Sequence, residues 1–248
     1  MSISNYLKPI KECLFNPFKL IPLFSWYYSD YRKLKAMRPE QMGFKLVANN
    51  PQLLDRVSNY GALGNLVYED SWAFKQVVEF KPEELIDIGS SRFFIAMSSM
   101  MGKVTSLDIR ELECCLPNLK FKIGDIMNLP YADKTVRALS SLSVIEHIGL
   151  GRYGDKLDIR GMEIAAKELS RVLAPGGMLL VAFPTGVENA IQFNAHRICT
   201  PETARNLFPD LELVEERYAL RDKIIDRATY EQLGRPYGYG CYRYTRKA

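Results

Sequence analysis

The stretch LIDIGSSRFF, residues 85–94, decides the fold class of this chain. An apolar run, Leu85-Ile86, leads to Asp87 and then to Gly89, which two serines follow. The run predicts a buried strand, and Gly89 predicts a sharp turn where the backbone can approach a ligand closely, because no side chain intervenes. Ser91 and Phe93 stand where a glycine-rich nucleotide loop would carry its second and third glycines.

Strands and helices alternate on both sides of this turn. Apolar runs predict strands at 84–88, 103–108, 119–123, 137–143 and 177–183. Apolar residues at helical spacing predict helices near 91–101 and 160–173. Such alternation indicates parallel strands joined by crossover helices. Two later alternating stretches, LELVEERYAL (211–220) and YGYGCYRYTRK (237–247), predict a final antiparallel pair.

These patterns together predict an α/β fold. We expect a Rossmann-like, doubly wound, mostly parallel seven-stranded sheet with helices on both faces. The 248 residues suit one large domain with an appendage, because 47% of them are hydrophobic and 25% are charged. We assign residues 1–78 to an N-terminal helical cap and residues 79–248 to the domain that carries the sheet.

Charge and cysteine content narrow the class of protein. A net charge of +4, with basic and acidic residues mixed along the chain, does not indicate a nucleic-acid partner. The five cysteines form neither a C-x-x-C pair nor a zinc-like cluster with histidine. They predict reduced thiols in a cytoplasmic protein.

Residues 13–28, CLFNPFKLIPLFSWYY, are unusually apolar and aromatic. They are too short to span a bilayer, and Pro17, Lys19 and Pro22 interrupt them. One interpretation is a segment packed on the core. The other is a peripheral membrane contact, because three basic residues follow closely: Arg32, Lys33 and Lys35. The pattern of a signal peptide does not occur at the N-terminus.

An acid closes the second predicted strand. Asp108 lies 19 positions after Gly89 (108 − 89), close to the spacing of a ribose-binding carboxylate in a strand–helix–strand unit. A carboxylate accepts hydrogen bonds from two neighbouring hydroxyls at once. The structural alternative is that Asp108 only forms a turn at the end of its strand.

Five segments in order resemble the class I S-adenosylmethionine-dependent methyltransferases. They are Asp87-Ile88-Gly89, Asp108, Gly124-Asp125 with Leu129-Pro130, Glu146-His147, and LAPGG at 173–177. The resemblance covers roughly residues 80 to 185. Two longer strings, EHIGLGRYGD (146–155) and FNAHRI (193–198), resemble a smaller, largely uncharacterised family within that superfamily.

The resemblance implies S-adenosylmethionine as the cofactor and assigns roles by position. Gly89 would lie against the methionine part, Asp87 would hold the amino group, and Asp108 would bind the ribose. Asp125 would face the adenine amino group. The remaining implied contacts are Ser91 with the carboxylate, Ile109 and Ile126 or Met127 around the ring, and Ser143 after the fourth strand.

The two histidines are the candidate bases. His147 and His196 both follow the carboxyl ends of predicted strands, and histidine can accept a proton near neutral pH. The glycine-rich string GLGRYGD predicts a mobile loop whose polar contacts include Asp155. A metal held by His147, Asp155 and His196 is an alternative that their spacing does not support, and we expect no metal.

We therefore expect methyl transfer from S-adenosylmethionine to an oxygen or nitrogen of a small-molecule or glycan acceptor. One alternative is a catalytically inactive fold that serves as a binding module, because Phe93 adds bulk to the loop. The other is an NAD-dependent oxidoreductase, although one glycine of the three in G-x-G-x-x-G is present.

Overall fold

The computed structural model describes residues 20–38, 41, 46, 63–193 and 195–247. The chain divides into two compact units, Met1–Ala62 and Leu63–Ala248. In the first unit, α1 spans Leu20–Ala36. Residues 13–19 of the predicted apolar segment lie outside the described residues. None of the helices in the described ranges has the length and apolar character that crossing a membrane requires.

The second unit contains the sheet and starts earlier than the predicted boundary after residue 78. Its first helix, α2 (Asn65–Phe80), buries Trp72, Ala73 and Val77 in the same apolar cluster as the following strands. The other helices are α3 (Arg92–Ser99), α4 (Gly161–Val172), α5 (Pro201–Asn206) and α6 (Arg227–Gln232). The strands are β1 (Glu84–Ile88), β2 (Lys103–Asp108), β3 (Leu119–Ile123), β4 (Val136–Leu142), β5 (Leu173–Thr185), β6 (Ala190–Gln192), β7 (His196–Ile198), β8 (Glu212–Ala219), β9 (Ile224–Asp226) and β10 (Gly238–Thr245).

The main sheet confirms the predicted mostly parallel, doubly wound architecture. Its order is β3-β2-β1-β4-β5-β10-β8-β9. The first five strands run parallel, and β10 is antiparallel to both β5 and β8, as the final pair predicted. The sheet has eight strands in the described residues instead of seven, because the three-residue strand β9 pairs with the edge of β8.

Most strand boundaries follow the predictions. β1, β2 and β3 begin and end where the apolar runs predicted, and β4 is displaced by one residue. β5 starts at Leu173 instead of residue 177, because the chain already pairs with β4 there. The register then shifts between Val136 and Ala138, opposite a turn in which Gly176 adopts a φ of +65°. The sequence pattern therefore predicts only the part of β5 that follows this irregularity.

Helices cover both faces of the sheet, which confirms the prediction. On one face α2 and α3 pack Trp72 and Phe94 against the strands. On the other face α4 packs Met162 and Leu169 against Leu139 of β4. The strand order reverses between β1 and β4, because β2 continues the sheet on the other side of β1. In open parallel sheets ligands bind outside the carboxyl ends of the strands at such a reversal.

The core at the centre of the sheet predicts a large effect of truncation. Leu139 has no exposed surface, so Leu139→Ala leaves a cavity and should lower the free energy of unfolding by about 2–5 kcal/mol. Leu157 is 69% exposed, so Leu157→Ala should change it by less than about 0.5 kcal/mol. Urea denaturation of both variants measures the difference. Equal losses would contradict the assigned packing.

Candidate functional site

A cleft with a volume of about 350 Å³ opens at the carboxyl ends of β1, β2 and β4. Pockets that bind small molecules have volumes of roughly 300–1,000 Å³. Of the residues predicted for the site, the cleft wall contains Gly89, Asp108, Ile109, Asp125, Ile126, Met127, Ser143, His147 and Asp155. Three others, Asp87, Ser91 and His196, do not contribute to the described wall.

Gly89 forms the turn at the bottom of the cleft. Its φ is +68°, a value that residues with a side chain rarely adopt, and its amide donates to the carbonyl of Leu107 at 2.9 Å. A Cβ at this position would lie 3.3 Å from both methyl groups of Val144 and 3.9 Å from Oδ2 of Asp108. The turn therefore needs glycine for both its backbone conformation and its packing.

Asp87 lies behind the turn, fully buried. Its Oδ1 accepts a hydrogen bond from the Ser140 hydroxyl at 2.7 Å, and its Oδ2 accepts from the Ser90 amide at 3.2 Å and the Ser106 hydroxyl at 3.3 Å. Burial raises the pKa of Asp87 to about 6, although these hydrogen bonds oppose the rise. The protein already satisfies this carboxyl group, which disfavours the predicted contact with a cofactor amino group.

The two departures from a glycine-rich loop leave the cleft open. The Ser91 hydroxyl accepts from the Phe94 amide at 3.1 Å, which caps α3, and donates to Oδ2 of Asp70 at 2.6 Å. Both bonds use the hydroxyl that we predicted to contact a ligand carboxylate. The ring of Phe93 is 81% exposed and does not plug the cleft.

Asp108 ends β2 in the cleft wall and pairs with Arg110. Its Oδ1 accepts from the Arg110 amide at 2.9 Å and from Nε at 3.1 Å, while Oδ2 accepts from Nη2 at 2.9 Å. A carboxylate offers about four acceptor positions. Because Arg110 uses three, Oδ2 on the side of Gly89 keeps capacity for a ligand hydroxyl.

The adjoining part of the wall combines one acid with apolar side chains. Oδ1 of Asp125 accepts from the Met127 amide at 2.8 Å, which leaves the other carboxylate oxygen available. Ile126 is buried, and Ile109 is 46% exposed beside Asp108. A flat apolar ring with a polar edge fits between such groups.

His147 lies in the 3₁₀ turn Ile145–His147 that follows β4. Its Nδ1 is 2.6 Å from the carbonyl oxygen of Ala195. The Arg152 guanidinium also lies 3.3 Å from Nδ1, but its Nη1 donates to the same Ala195 carbonyl at 2.8 Å. Because a carbonyl only accepts and its contact with Nδ1 is the shorter one, we place the ring hydrogen on Nδ1, which leaves Nε2 as an acceptor. Burial lowers the pKa of His147 to about 4, and the positive charge of Arg152 adds to the effect.

His196 stands behind His147, outside the described wall. The two rings are 6.2 Å apart, and Nε2 of His196 is 3.4 Å from the Tyr237 hydroxyl. Burial also lowers the pKa of His196. This histidine therefore packs against the candidate base instead of facing the cleft.

Asp155 organises the glycine-rich loop. Its Oδ2 accepts from the amides of Gly149 at 2.7 Å and Gly151 at 3.3 Å, and its Oδ1 accepts from the Tyr153 amide at 3.2 Å. Burial alone would raise the pKa of Asp155, but these backbone hydrogen bonds outweigh it and lower the pKa. A carboxylate held this way is a weak base that shapes the wall of the cleft.

A buried arginine joins the two strings EHIGLGRYGD and FNAHRI. Arg197, 7% exposed, donates to the carbonyls of Ile148 at 2.7 Å, Ile159 at 3.1 Å, and Glu146 and Asp158 at 3.3 Å each. Hydrogen bonds from a charged donor are stronger than those between neutral groups, so four carbonyls around one guanidinium hold the whole segment in place. The sequence did not indicate this role.

Two further contacts were missed for lack of a sequence signal. Ser143 adopts a φ of +57°, and its hydroxyl lies 2.9 Å from each carboxyl oxygen of Glu69, a buried residue of α2. The guanidinium of Arg110 lies 4.6 Å from the ring of Tyr153, which ties β2 to the glycine-rich loop. Among the described residues, no group of three or more His, Cys, Asp or Glu is arranged to hold a metal ion.

Sequence comparison supports the smaller resemblance. A family profile described as "Caenorhabditis protein of unknown function, DUF268" matches residues 123–226. This range contains EHIGLGRYGD and FNAHRI, so the predicted resemblance to a largely uncharacterised family is confirmed. A search of curated proteins finds no match.

Solved structures share the fold. The [4+2]-cyclase SpnF is 16% identical, with a TM-score of 0.54 over 72% of this chain and 81% of that one. A putative methyltransferase from Bacillus halodurans C-125 is 13% identical, with a TM-score of 0.50 over 71% and 100%. A putative S-adenosylmethionine-dependent methyltransferase from Listeria monocytogenes is 9% identical, with a TM-score of 0.50 over 73% and 100%. Identities this low establish architecture alone: the chain has the fold of the class I S-adenosylmethionine-dependent methyltransferases.

Proposed function

We propose that this protein transfers a methyl group from S-adenosylmethionine to an oxygen or nitrogen of a small-molecule or glycan acceptor. One observation carries the proposal. The backbone bend at Gly89, the carboxylate of Asp108 and the ring of His147 all line a single cleft at the reversal point of the sheet. The residues that we predict to bind the cofactor and the candidate base therefore line one cavity.

The residues of the cleft fit the cofactor by their chemistry. Oδ2 of Asp108 has acceptor capacity for a ribose hydroxyl, and Asp125 has a free oxygen for an amino group. The apolar side chains of Ile109, Ile126 and Met127 would enclose the adenine ring. When bound, S-adenosylmethionine supplies an electrophilic methyl carbon on a sulfonium.

The acceptor needs a group that removes its proton. His147 lies in the cleft wall, and its Nε2 is unprotonated because Nδ1 donates to Ala195. It would take the proton from an O–H or N–H of the acceptor as general base. We propose supporting roles for the other two candidates: His196 packs behind the base, and Asp155 holds the loop that closes the wall.

Aromatic side chains suggest the class of acceptor. Tyr153, 39% exposed, lines the cleft beside His147, and Tyr237, 49% exposed, lies beside His196. A tyrosine offers an apolar ring and a polar tip, which suits the faces and hydroxyls of a sugar or a small ring compound. The mild net charge of +4 does not favour a nucleic-acid acceptor.

The fold alone does not decide the reaction, because SpnF is a cyclase on the same architecture. A binding module without catalysis, or a site for NAD, would share the fold. The affinity of the cleft for each cofactor separates these alternatives.

Calorimetry tests the cofactor site. The protein should bind S-adenosylmethionine and its demethylated product, S-adenosylhomocysteine. Asp108→Ala should weaken binding by about 1.5–3 kcal/mol, roughly 10- to 150-fold, because hydrogen bonds to a charged group are lost. Asp210→Ala, at an exposed acid outside the cleft, is the matched control. If the protein binds NADH alone, the oxidoreductase alternative is favoured. If it binds neither cofactor, the alternative of a binding module without catalysis is favoured.

We also propose a cytoplasmic protein that touches membranes through its N-terminal unit. The described cysteines, Cys114, Cys115, Cys199 and Cys241, carry free thiols, which fits a reducing compartment. On α1, Ile21, Phe24 and Tyr28 are 62%, 40% and 58% exposed, and Lys33 and Lys35 lie in the last turn. Exposed apolar groups beside cations suit the surface of an anionic bilayer.

Sedimentation with vesicles tests this contact. The protein should bind phosphatidylcholine vesicles that contain phosphatidylserine, and added salt should weaken the binding by screening. The double variant Phe24→Ser, Tyr28→Ser should bind less. Phe93→Ser removes a phenylalanine that is 81% exposed in the other unit and serves as the control. Unchanged binding of the double variant would exclude α1 as the contact.

A further inference from the structure

The side chain of Glu146 lies next to His147 in the 3₁₀ turn after β4, outside the described wall of the cleft. It is 1% exposed, and its Oε2 has no hydrogen-bond partner in the described part of the chain. Its Oε1 lies 3.6 Å from Nε2 of His147. A buried carboxyl oxygen without a hydrogen-bond partner is unfavourable to the fold, and an apolar side chain of similar size is often as stable or more stable in such a place. Its position at the candidate base suggests a use in the chemistry.

Burial decides which form Glu146 holds at rest. Removal from water disfavours the charged carboxylate and raises the pKa of Glu146 to about 8. Glu146 therefore carries a proton at neutral pH. His147 has its one ring hydrogen on Nδ1, which donates to Ala195, so its Nε2 presents a lone pair 3.6 Å from the acid. That separation is longer than a hydrogen bond. A small rotation of the Glu146 side chain, or a hydroxyl group between the two side chains, would connect them by hydrogen bonds.

We propose that Glu146 and His147 act as one proton-accepting pair, in which His147 removes the acceptor's proton and passes it on to Glu146. The inference rests on the proposed methyl transfer. With the pair deprotonated, the acceptor's O–H or N–H bond breaks, its electron pair stays on the oxygen or nitrogen, and an Nε2–H bond forms. The proton then passes from Nε2 to the Glu146 carboxylate, which restores the neutral acid and the neutral imidazole. Glu146 acts through His147 and is a positioning residue.

Other titratable groups face the pair. Burial raises the pKa of Cys199 to about 11 and also raises the pKa values of Glu69, Tyr237 and Tyr239. Burial lowers the pKa of His196. The other titratable or charged groups beside the pair are Arg152, Tyr153, Asp155 and Arg197, and backbone hydrogen bonds lower the pKa of Asp155.

The charges also fix the sign of the response. Between pH 6 and 9, on the order of one proton leaves the pair as Glu146 ionises, with a midpoint near its pKa of about 8. The deprotonated pair is the form that can accept a proton. Base strength therefore rises with pH through this range, and it should be weak below the midpoint.

The chain has only two histidines, which makes nitrogen NMR decisive. We would label histidine with ¹⁵N, assign His147 by comparison with His196→Asn, and titrate the protein without ligand. The His147 Nε2 signal should shift in a step near pH 8, because the neighbouring carboxyl loses its proton there. In Glu146→Gln, an isostere of the protonated acid, that step should be absent, while the pH dependence of the His196 signals should be unchanged.

A step that is absent from the wild type, or that persists in Glu146→Gln, overturns the pair. Should Glu146→Gln fail to fold, Glu146→Asp carries the test: its shorter carboxyl should move the midpoint, and an unchanged midpoint overturns the pair. Calorimetry separates this inference from the proposed function. If the protein binds S-adenosylhomocysteine but shows no step near pH 8, the proposed function stands and the proposed pair is wrong. If it shows the step but binds no cofactor, the two groups are coupled and the proposed methyl transfer is wrong.

Discussion

The cleft depends on one buried carboxyl group, that of Asp87 at the end of β1. Three donors from separate segments converge on it: the Ser90 amide, the Ser106 hydroxyl on β2 and the Ser140 hydroxyl on β4. These bonds join the three strands that surround the reversal point and hold the chain in the turn that brings Gly89 beside Asp108. A buried acid needs such partners, because an unpaired one would be expensive in free energy.

The opposite wall is held by a buried cation. Arg197 donates hydrogen bonds to four backbone carbonyls in the segments on either side of the glycine-rich loop. Asp155 accepts hydrogen bonds from three backbone amides within that loop. One residue satisfies acceptors and the other satisfies donors, so an irregular segment keeps a defined shape without regular secondary structure. The loop can thus present His147, Tyr153 and Asp155 to the cleft in fixed positions.

The two walls differ in what they can do. On the side of β2 and β3, carboxylates with spare acceptor positions alternate with apolar side chains, an arrangement that fits a ligand with hydroxyl groups and a flat apolar ring. On the side of β4, burial lowers the pKa of His147 and raises that of Glu146, so two neighbouring groups exchange their usual order of basicity. That inversion suits proton transfer, and it arises because both groups are removed from water.

The sequence by itself determined the local part of this protein. The bounds of β1, β2 and β3, the turn at Gly89 and the placement of Asp108, Asp125 and His147 at one edge of the sheet follow from apolar periodicity and parallel topology, which short-range patterns encode. Only the tertiary structure decided that Asp87 and Ser91 are satisfied internally, that His196 stands behind His147, and that Arg197 and Glu69 support the site. Most of those contacts join residues far apart in the chain: Ser91 and Asp70 are 21 positions apart, Asp87 and Ser140 are 53, and Ser143 and Glu69 are 74. No local pattern records them, because a buried polar group takes its partner from whatever the fold brings within hydrogen-bond reach.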